Sequence, residues 1–537
     1  MLNFNKQMNM KKISNIIRGL LTVLLLSVVF VSCSESVMDQ VNVDKNHSKD
    51  VPSKYIIADV ITSSAFNNVG GDFNTYLSVY NEQTLGVDNQ LYYAESRTNE
   101  PSASTTFNNV WNSSYTALKN ARIVISKCSA GGNEAGNNIT KGIAEVLAAL
   151  NSGLIADMFG DAPWSEAAIV NATGTPLFLN PKIDSQQDIY KGLNQYLDSA
   201  IVHLAGTDKI SAIGSYDLLY GGSKAQWLKL AYGLKARYTM HTLYKSTDKT
   251  GDLNNILSYL DKSFTSVDDQ ASFKIYDASN LNPTFDFQWS RDGLGASKSM
   301  SDKLIARNDP RSRRVYVDPN TGNQLTGASD PAFNPGPNGT NDQVKYTYSY
   351  TVYFYAQTAP TLLMSYHEAL FLRAEALCRL NRSSDALPVL KNAVVAAIAN
   401  TEVSVNAALN APTVIAAGAT LTEKTTAITS TEAGTFFDTE IAPLFTANPL
   451  QETMIQKYIA FWGASGESTE TYNDIRRMKA QGENFVTLAN PLNAQNKFPL
   501  RLPYGNSDTT TNPAVQSAYG DGSYVYSIPV WWAGGTR

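Results

Sequence analysis

Residues 362–398 read LLMSYHEALFLRAEALCRLNRSSDALPVLKNAVVAAI, and this stretch decides the fold. Its apolar residues recur at helical spacing, which predicts two helices, 362–380 and 384–398, joined by a tight turn at 381–383. Small and large residues fall at the offsets of a tetratricopeptide helix pair, namely at Ala374, Leu377, Ala386, Leu390 and Ala393. One match of this kind also fits any helical hairpin. We therefore predict a close-packed helix pair and no regular repeat array.

The same periodicity recurs along the chain. It predicts further helices at 55–66, 110–128, 142–159, 188–205 and 224–244, with Asp184 or Ser185 as the cap of 188–205. Three long stretches rich in Gly, Asn, Asp, Pro and aromatic residues separate the helices, at 69–101, 264–308 and 318–360. Loops of this length are usually functional or disordered, and their aromatic content argues against disorder. The segment 400–433, rich in Ala, Thr and Val, is interpreted as a variable insert.

These features predict the fold class. We expect a mostly α-helical protein in which irregular tetratricopeptide-like helix pairs form a solenoid scaffold, with long aromatic-rich loops and little β-structure. Of the 537 residues, 43% are hydrophobic and 17% are charged, which excludes a disordered chain. The formal net charge of −5 provides no basic stripe for nucleic acid. Three cysteines and four scattered histidines exclude a disulfide framework and argue against a zinc cluster, so we expect neither metal nor cofactor.

The N-terminus resembles an export signal. Basic residues precede the apolar run LLTVLLLSVVFV at 20–31, and Ser32 stands directly before Cys33. A small residue before a cysteine at the end of such a run is typical of a lipoprotein signal, in which the cysteine thiol receives the lipid; an ordinary secretory signal is the alternative. We predict a signal peptide at 1–32, a polar tether at 33–52 and a single binding domain at 53–537. Because no later stretch looks long enough to span a bilayer, lipid is the only predicted anchor.

Catalytic interpretations of the acidic residues are weaker than structural ones. Asp157, Asp161 and Glu166 surround Gly160 and Pro163, which indicates a helix end whose carboxylates cap neighbouring amides. Glu368 and Glu375 share a helix face and are expected to pair with Arg373, Arg379, Arg476 or Arg477, and Asp474 is expected to pair with Arg476 and Arg477. No nucleophile elbow, phosphate-binding loop or HExxH motif occurs in the sequence. We therefore expect no enzymatic activity and name no catalytic residue.

Five ordered segments carry a family resemblance. They are DMFGDAPWSEA at 157–167, QWLKLA at 226–231, NDPR at 308–311, YHEALFLRAEA at 366–376 and ETYNDIRR at 470–477. Together with Cys33 they resemble the SusD/RagB family of outer-membrane nutrient-binding lipoproteins, in particular its SusD-like subgroup. The sequence departs from the family pattern at Tyr472, where a tryptophan is usual, at His367, which replaces a small residue, and at Tyr232-Gly233, which replaces Asn-Ser.

The resemblance implies a function without a chemical step. A protein of this kind is tethered to the outer membrane through Cys33, faces the cell surface, and delivers a nutrient, usually a glycan, to a SusC-like TonB-dependent β-barrel transporter. Two alternatives stay open. One is a surface glycan-binding or scaffold lipoprotein that works without a transporter. The other is a lipid-anchored hydrolase, which would require turnover of a glycan or peptide by a carboxylate pair.

Ligand contacts are expected from the aromatic loops 69–101 and 264–308. Aromatic rings can cover the flat C–H face of a sugar while neighbouring polar groups reach its hydroxyls. Trp289 is the strongest candidate, because Pro283 is expected to break regular structure before it and hold the loop outward. The other candidates are Tyr92, Tyr93, Tyr80, Asn81 and Arg291. For any single tyrosine, including those at 346–355, packing inside the protein is the alternative.

Overall fold

Helices make up most of the structure. The computed structural model describes residues 50–171, 174–210, 213–340, 342–411 and 421–536. The predicted signal peptide at 1–32, Cys33 and the tether up to residue 49 lie outside the described residues. Residues from Pro52 onward form one compact unit, and the description below concerns that unit.

The first half of this unit contains nine helices among the described residues. They are α1 Ser53–Thr62, α2 Phe73–Tyr80, α3 Asn89–Ser96, α4 Asn108–Cys128, α5 Asn138–Phe159, α6 Gln186–Leu204, α7 Lys224–Thr242, α8 Lys249–Leu260 and α9 Pro283–Arg291. A π-helical segment, Ser63–Asp72, connects α1 to α2. Ser185 caps α6, since its side chain accepts a hydrogen bond from the backbone N–H of Asp188.

The second half continues the helical arrangement. Its described helices are α10 Lys298–Ile305, α11 Tyr366–Arg379, α12 Ser383–Leu409, α13 Ser430–Phe436, α14 Ala442–Ala447, α15 Pro449–Ala460, α16 Ser468–Ala480, α17 Asn506–Thr511 and α18 Pro513–Tyr519. Long helices that follow one another in the chain pack side by side, from α4 through α5, α6 and α7 to α8, and then from α8 to α11 and α12. This confirms the predicted scaffold of irregular helix pairs.

The α11–α12 pair has the predicted close contact. Ala374, Leu377, Ala386, Leu390 and Ala393 are all buried in one apolar cluster. Two boundaries were predicted wrongly. Helix α11 starts only at Tyr366, because Thr361–Met364 forms a strand, and α12 continues to Leu409, well into the predicted insert 400–433. The alanine-rich composition of that segment favours helix.

Strands are short and form four two-stranded antiparallel ribbons within the described ranges. They are β1 Thr84–Gly86 with β5 Leu294–Ala296, β2 Ala162–Pro163 with β3 Ile183–Asp184, β4 Ala271–Phe273 with β8 Thr361–Met364, and β6 Tyr316–Val317 with β7 Tyr350–Thr351. The prediction of little β-structure is confirmed. The expectation that 69–101 and 264–308 are loops was wrong in detail, because each stretch contains two short helices and at least one strand.

Helix α5 is the central core helix. In the described part of the chain it is the one helix long and apolar enough to cross a membrane, and its apolar window is completely buried by protein. The expectation that no stretch after the signal has spanning length was therefore wrong. The apolar character of α5 is explained by its position between α4 and α6.

Candidate functional site

The β1–β5 ribbon brings the two predicted ligand-binding stretches together. Thr84 pairs with Ala296 and Gly86 pairs with Leu294, so the turn after α2 lies beside the segment after α9. Helix α3 follows β1 along the chain, and α9 precedes β5. Main-chain pairing between strands more than 200 residues apart therefore positions the elements that carry the candidate residues.

Helix α9 explains why Pro283 does not act as predicted. Its side-chain cap is Asn282, whose Oδ1 accepts hydrogen bonds from the backbone N–H groups of Thr284 and Phe285. Pro283 occupies the first helical turn, where a missing N–H costs nothing and the fixed φ favours the helix. The proline thus starts a helix instead of holding a loop outward, and this places Trp289 on a helix.

Two adjoining cavities share one face of α9. The α3 cavity, of about 190 Å³, is bounded by the start of α3 at Asp88 and Asn89 and by Lys345. The α2 cavity, of about 290 Å³, is bounded by the end of the π-helical segment and the start of α2. Phe287, Ser290 and Arg291 line both cavities. These three residues lie on one side of the helix because residues three and four apart are neighbours on a helix surface.

Arg291 occupies the wall between the two cavities. Its side chain is exposed, and its guanidinium makes no ion pair with any described residue. The backbone oxygen of Arg291 accepts a hydrogen bond from Lys345 Nζ at 3.1 Å, and the same ammonium lies 3.0 Å from Asp88 Oδ2. Lys345 therefore connects the end of α9 to the start of α3, while the guanidinium of Arg291 stays available to a ligand.

Tyr92 and Tyr93 lie on α3 beside the α3 cavity. Tyr93 is 37% exposed and follows the cavity-lining residues Asn89 and Gln90 by one helical turn. Tyr92 is half-buried, and the two rings lie 5.7 Å apart at 60°. Neither tyrosine lines a cavity itself, but Tyr93 is an exposed aromatic ring on the same helix as the lining residues Asn89 and Gln90.

Trp289 is separated from both cavities. It is half-buried and stacks on Phe285, with ring centroids 6.1 Å apart and an interplanar angle of 15°. It lines neither cavity. Phe285 and Trp289 are four residues apart on α9 and so share a face that differs from that of Phe287 and Arg291. The sequence analysis predicted a loop here, and a loop prediction does not show which residues share a face with Arg291.

Tyr80 and Asn81 are completely buried, which corrects their assignment as direct ligand contacts. Every residue of α2 is buried, and Tyr80 ends that helix with its ring 4.9 Å from the guanidinium carbon of Arg97. Asn81 Nδ2 donates to the backbone oxygen of Ser468 at 2.8 Å. Both side chains hold the turn that leads into β1. Because both are completely buried, they cannot touch a ligand in this conformation.

Sequence reasoning missed several residues of the site. Phe287, Ser290 and Asp286 stand within the segment around Trp289. Helical spacing from Arg291 would have selected Phe287, and the same spacing from Phe287 would have selected Ser290. Asp72 and Thr75 had no such signal, because only the folded chain brings α2 against α9. Among the described residues no group of acidic, histidine or cysteine side chains could hold a metal ion.

The DMFGDAPWSEA turn has the structural role that the sequence indicated. Asp161 Oδ1 accepts from the backbone N–H of Gln186 at 2.8 Å, and Glu166 Oε2 accepts from that of Lys182 at 3.0 Å. Asp157 is buried and accepts a hydrogen bond from Trp532 Nε1 at 3.0 Å. Gly160 has a φ of 77°, and a Cβ there would overlap the Arg501 guanidinium. These carboxylates therefore stabilise the turn by accepting hydrogen bonds from backbone N–H groups and from a buried side chain.

The acidic residues of the other motifs form buried ion networks. Glu375 accepts from both terminal nitrogens of Arg477 at 3.0 Å and from Arg379 Nε at 2.8 Å. Glu368 accepts from Arg237, a partner that the sequence did not suggest. Asp474 pairs with Arg477, as expected, and with Lys457, whereas the other expected partner, Arg476, donates elsewhere.

A buried histidine belongs to a neighbouring network. His241 lies between Asp157 and Glu470, with Nδ1 at 3.2 Å from Asp157 Oδ2 and Nε2 at 2.9 Å from Glu470 Oε2. Burial lowers the pKa of His241, but the two carboxylates outweigh burial and raise it to about 9. The imidazole is therefore a buried cation that connects α7 to the end of α5 and to α16.

Comparison with known proteins assigns the family. The model of a family described as starch-binding and associating with the outer membrane matches residues 45–504. The chain belongs to the SusD-like family. A SusD/RagB family protein from Bacteroides thetaiotaomicron shares 54% sequence identity and superposes with a TM-score of 0.86 over 91% of this chain and 100% of its own.

More distant SusD-like structures share the fold. A chitin-binding protein with 20% identity has a TM-score of 0.68 over 89% of this chain and 99% of its own. A SusD homologue from Bacteroides fragilis with 19% identity has a TM-score of 0.64 over 90% of this chain and 99% of its own. None of the curated proteins matches the chain. The SusD-like family is a binding family of proteins associated with the outer membrane.

Proposed function

We propose that this SusD-like protein captures an oligosaccharide at the α2 and α3 cavities and delivers it to a SusC-like TonB-dependent transporter. The observation that supports the site best is the shared wall of the two cavities. A ligand that crosses Phe287 and Arg291 contacts an aromatic ring and an unpaired guanidinium at once. On α3, the exposed ring of Tyr93 follows the cavity-lining residues Asn89 and Gln90 by one helical turn and would contact a ligand that extends beyond the α3 cavity.

The chemistry of the walls favours a hydroxyl-rich ligand. Sugar rings have apolar faces and polar edges, and the cavities combine ring surfaces with Asn, Ser, Asp and Arg side chains. Because each cavity is small and the two adjoin, a chain of several sugar units fits the arrangement better than a single monosaccharide. No covalent step is required, so none of these residues is assigned a catalytic role.

A glycan-binding screen followed by calorimetry tests the site. Tyr93→Ala and Arg291→Ala should each weaken binding of the identified oligosaccharide about tenfold or more, the range of hot-spot truncations of ~1–3 kcal/mol. Tyr244→Ala is a matched control, because Tyr244 is also 37% exposed and lies outside both cavities. Wild-type affinity in both site variants would reject this location for the ligand.

We also propose that lipid on Cys33 anchors the protein to the outer membrane with the cavities accessible from outside the cell. Cys33→Ala should abolish metabolic fatty-acid labelling and release the protein from the membrane fraction. Retained label in this variant would disprove lipidation at Cys33. Co-purification of a β-barrel transporter with the wild-type protein tests the delivery step, and growth on the ligand without any such barrel would favour the transporter-independent alternative.

A further inference from the structure

Two carboxylates of the α2 cavity lack partners in the described structure. Asp72 stands at the start of α2, but its side chain makes no capping hydrogen bond. Asp286 lies in the first turn of α9, and its carboxylate likewise forms no hydrogen bond or ion pair with a described residue. Both side chains line the α2 cavity. Both carboxylates can therefore accept hydrogen bonds from a ligand in the α2 cavity.

Thr75 contributes a third polar group to this cavity, and its hydroxyl has no hydrogen-bond partner among the described residues. Thr75 is only 4% exposed and lines the α2 cavity from α2. Its hydroxyl makes no hydrogen bond with any described residue, although a threonine inside a helix can bond to the carbonyl four residues earlier. Since Thr75 lines the cavity, this hydroxyl is available for a hydrogen bond with a ligand hydroxyl. This observation is independent of the two carboxylates.

The charge of the α2 cavity differs from that of the α3 cavity. In the α3 cavity the carboxylate of Asp88 is paired with Lys345, which leaves Arg291 in excess. In the α2 cavity two carboxylates face the single guanidinium of Arg291. Burial raises the pKa of Asp72, and Arg291 only partly opposes this. A carboxylate that has lost solvation gains free energy when a cation binds beside it.

We propose that the α2 cavity accepts the amine-bearing unit of an amino-sugar chain, with the ammonium between Asp72 and Asp286 and a ring hydroxyl on Thr75. This inference rests on the proposed function and specifies its substrate class. Phe66 and Phe287 supply the apolar surface for the sugar ring. The volume of about 290 Å³ lies at the lower limit of small-ligand pockets, ~300–1,000 Å³, which suits one sugar unit.

Three oligosaccharides of equal length and linkage test this inference by calorimetry. The probes are a β-1,4-linked glucosamine oligomer, the corresponding glucose oligomer and a glucuronate oligomer, measured at a pH where the amine is protonated. Wild-type protein should bind the glucosamine oligomer about tenfold more tightly than the glucose oligomer, which is the scale of a charge-assisted hydrogen bond. The glucuronate oligomer should bind most weakly, because its carboxylates repel those of the cavity.

Substitution of the two carboxylates provides the decisive comparison. Asp72→Asn and Asp286→Asn should each reduce the preference for glucosamine over glucose, and the double variant should abolish that preference. Asp286 is exposed, so its variant remains informative if Asp72→Asn fails to fold. Asp385→Asn, which alters an exposed carboxylate on α12, should leave the preference intact.

The outcomes separate this inference from the proposed function. Equal binding of the glucosamine and glucose oligomers by wild type, or a preference that survives in the double variant, overturns the amino-sugar assignment but leaves the glycan site in place. Failure of the glucosamine oligomer to bind also overturns the assignment. The proposed function itself is decided separately, by the broader glycan screen and by the Tyr93 and Arg291 variants.

Discussion

Glu375→Gln tests whether the motifs shared with the family stabilise the fold. Glu375 is completely buried, and three cations surround it: Arg477, Arg379 and Lys457. The substitution keeps the size of the side chain but removes its charge. It also places a donor opposite nitrogens that are themselves donors, because an amide NH2 group replaces one carboxylate oxygen.

The contacts of Glu375 determine how much stability the substitution should remove. Removing one partner of a buried ion pair typically costs ~3–5 kcal/mol. Asp474 still accepts from Arg477, and Glu483 still accepts from Arg379. These carboxylates compensate part of the positive charge that the substitution leaves unpaired. We therefore expect a loss near the lower limit, about 3 kcal/mol in the free energy of unfolding.

Urea unfolding of the variant and the wild type measures the loss. The matched control is Asp302→Asn, which breaks the exposed pair of Lys298 and Asp302 and should cost less than about 1 kcal/mol. The surrounding cations lower the pKa of Glu375, so its contribution is present above the ordinary glutamate pKa of ~4.3 and is lost as the pH falls below it. A neutral-pH loss no larger than that of the control would refute the reasoning.

Three further substitutions test other parts of the structure. Trp227→Ala should cost about 3–5 kcal/mol in unfolding free energy, because the buried indole also donates to Asp217 Oδ2; an unchanged urea midpoint would contradict this. His241→Gln should destabilise the protein most below pH ~6.5, and the difference from wild type should vanish as the pH rises through about 9, since the raised pKa belongs to the folded state. Trp289→Ala should lower stability by at least ~1 kcal/mol and change ligand affinity less than Tyr93→Ala, whereas a tenfold loss of affinity at unchanged stability would return Trp289 to the site.

The sequence predicted long helices well and short elements poorly. Helices such as α5 and α6 bury a wide apolar stripe, so their periodicity is visible over many residues. Helices α2, α3 and α9 have eight or nine residues, and their helical state depends on contacts with distant parts of the chain. The pairing of β1 with β5 has no local signal at all. For this reason the stretches 69–101 and 264–308 were predicted to be loops.

The dependence of short elements on distant contacts also limited the prediction of the candidate site. Composition directed attention to the segments that contain α3 and α9, because aromatic and polar residues concentrate there. Composition does not show which face of a helix a residue occupies, so Trp289 was ranked above Arg291 although only Arg291 lines the cavities. Tyr80 was misassigned because its segment becomes a fully buried helix only when α16 packs against α2.

The positions of the shared motifs limit what family membership can reveal about the ligand. Asp157, Trp227, Glu375 and Arg477 carry much of the resemblance, and all four are buried in ion pairs, caps or core packing. None of them lines either cavity. Under the proposed function, selection of the ligand depends on α2, α3 and α9, outside the motifs that identify the family. A relative that retains every motif can bind a different sugar, provided that the residues equivalent to Asp72, Tyr93, Asp286 and Arg291 differ.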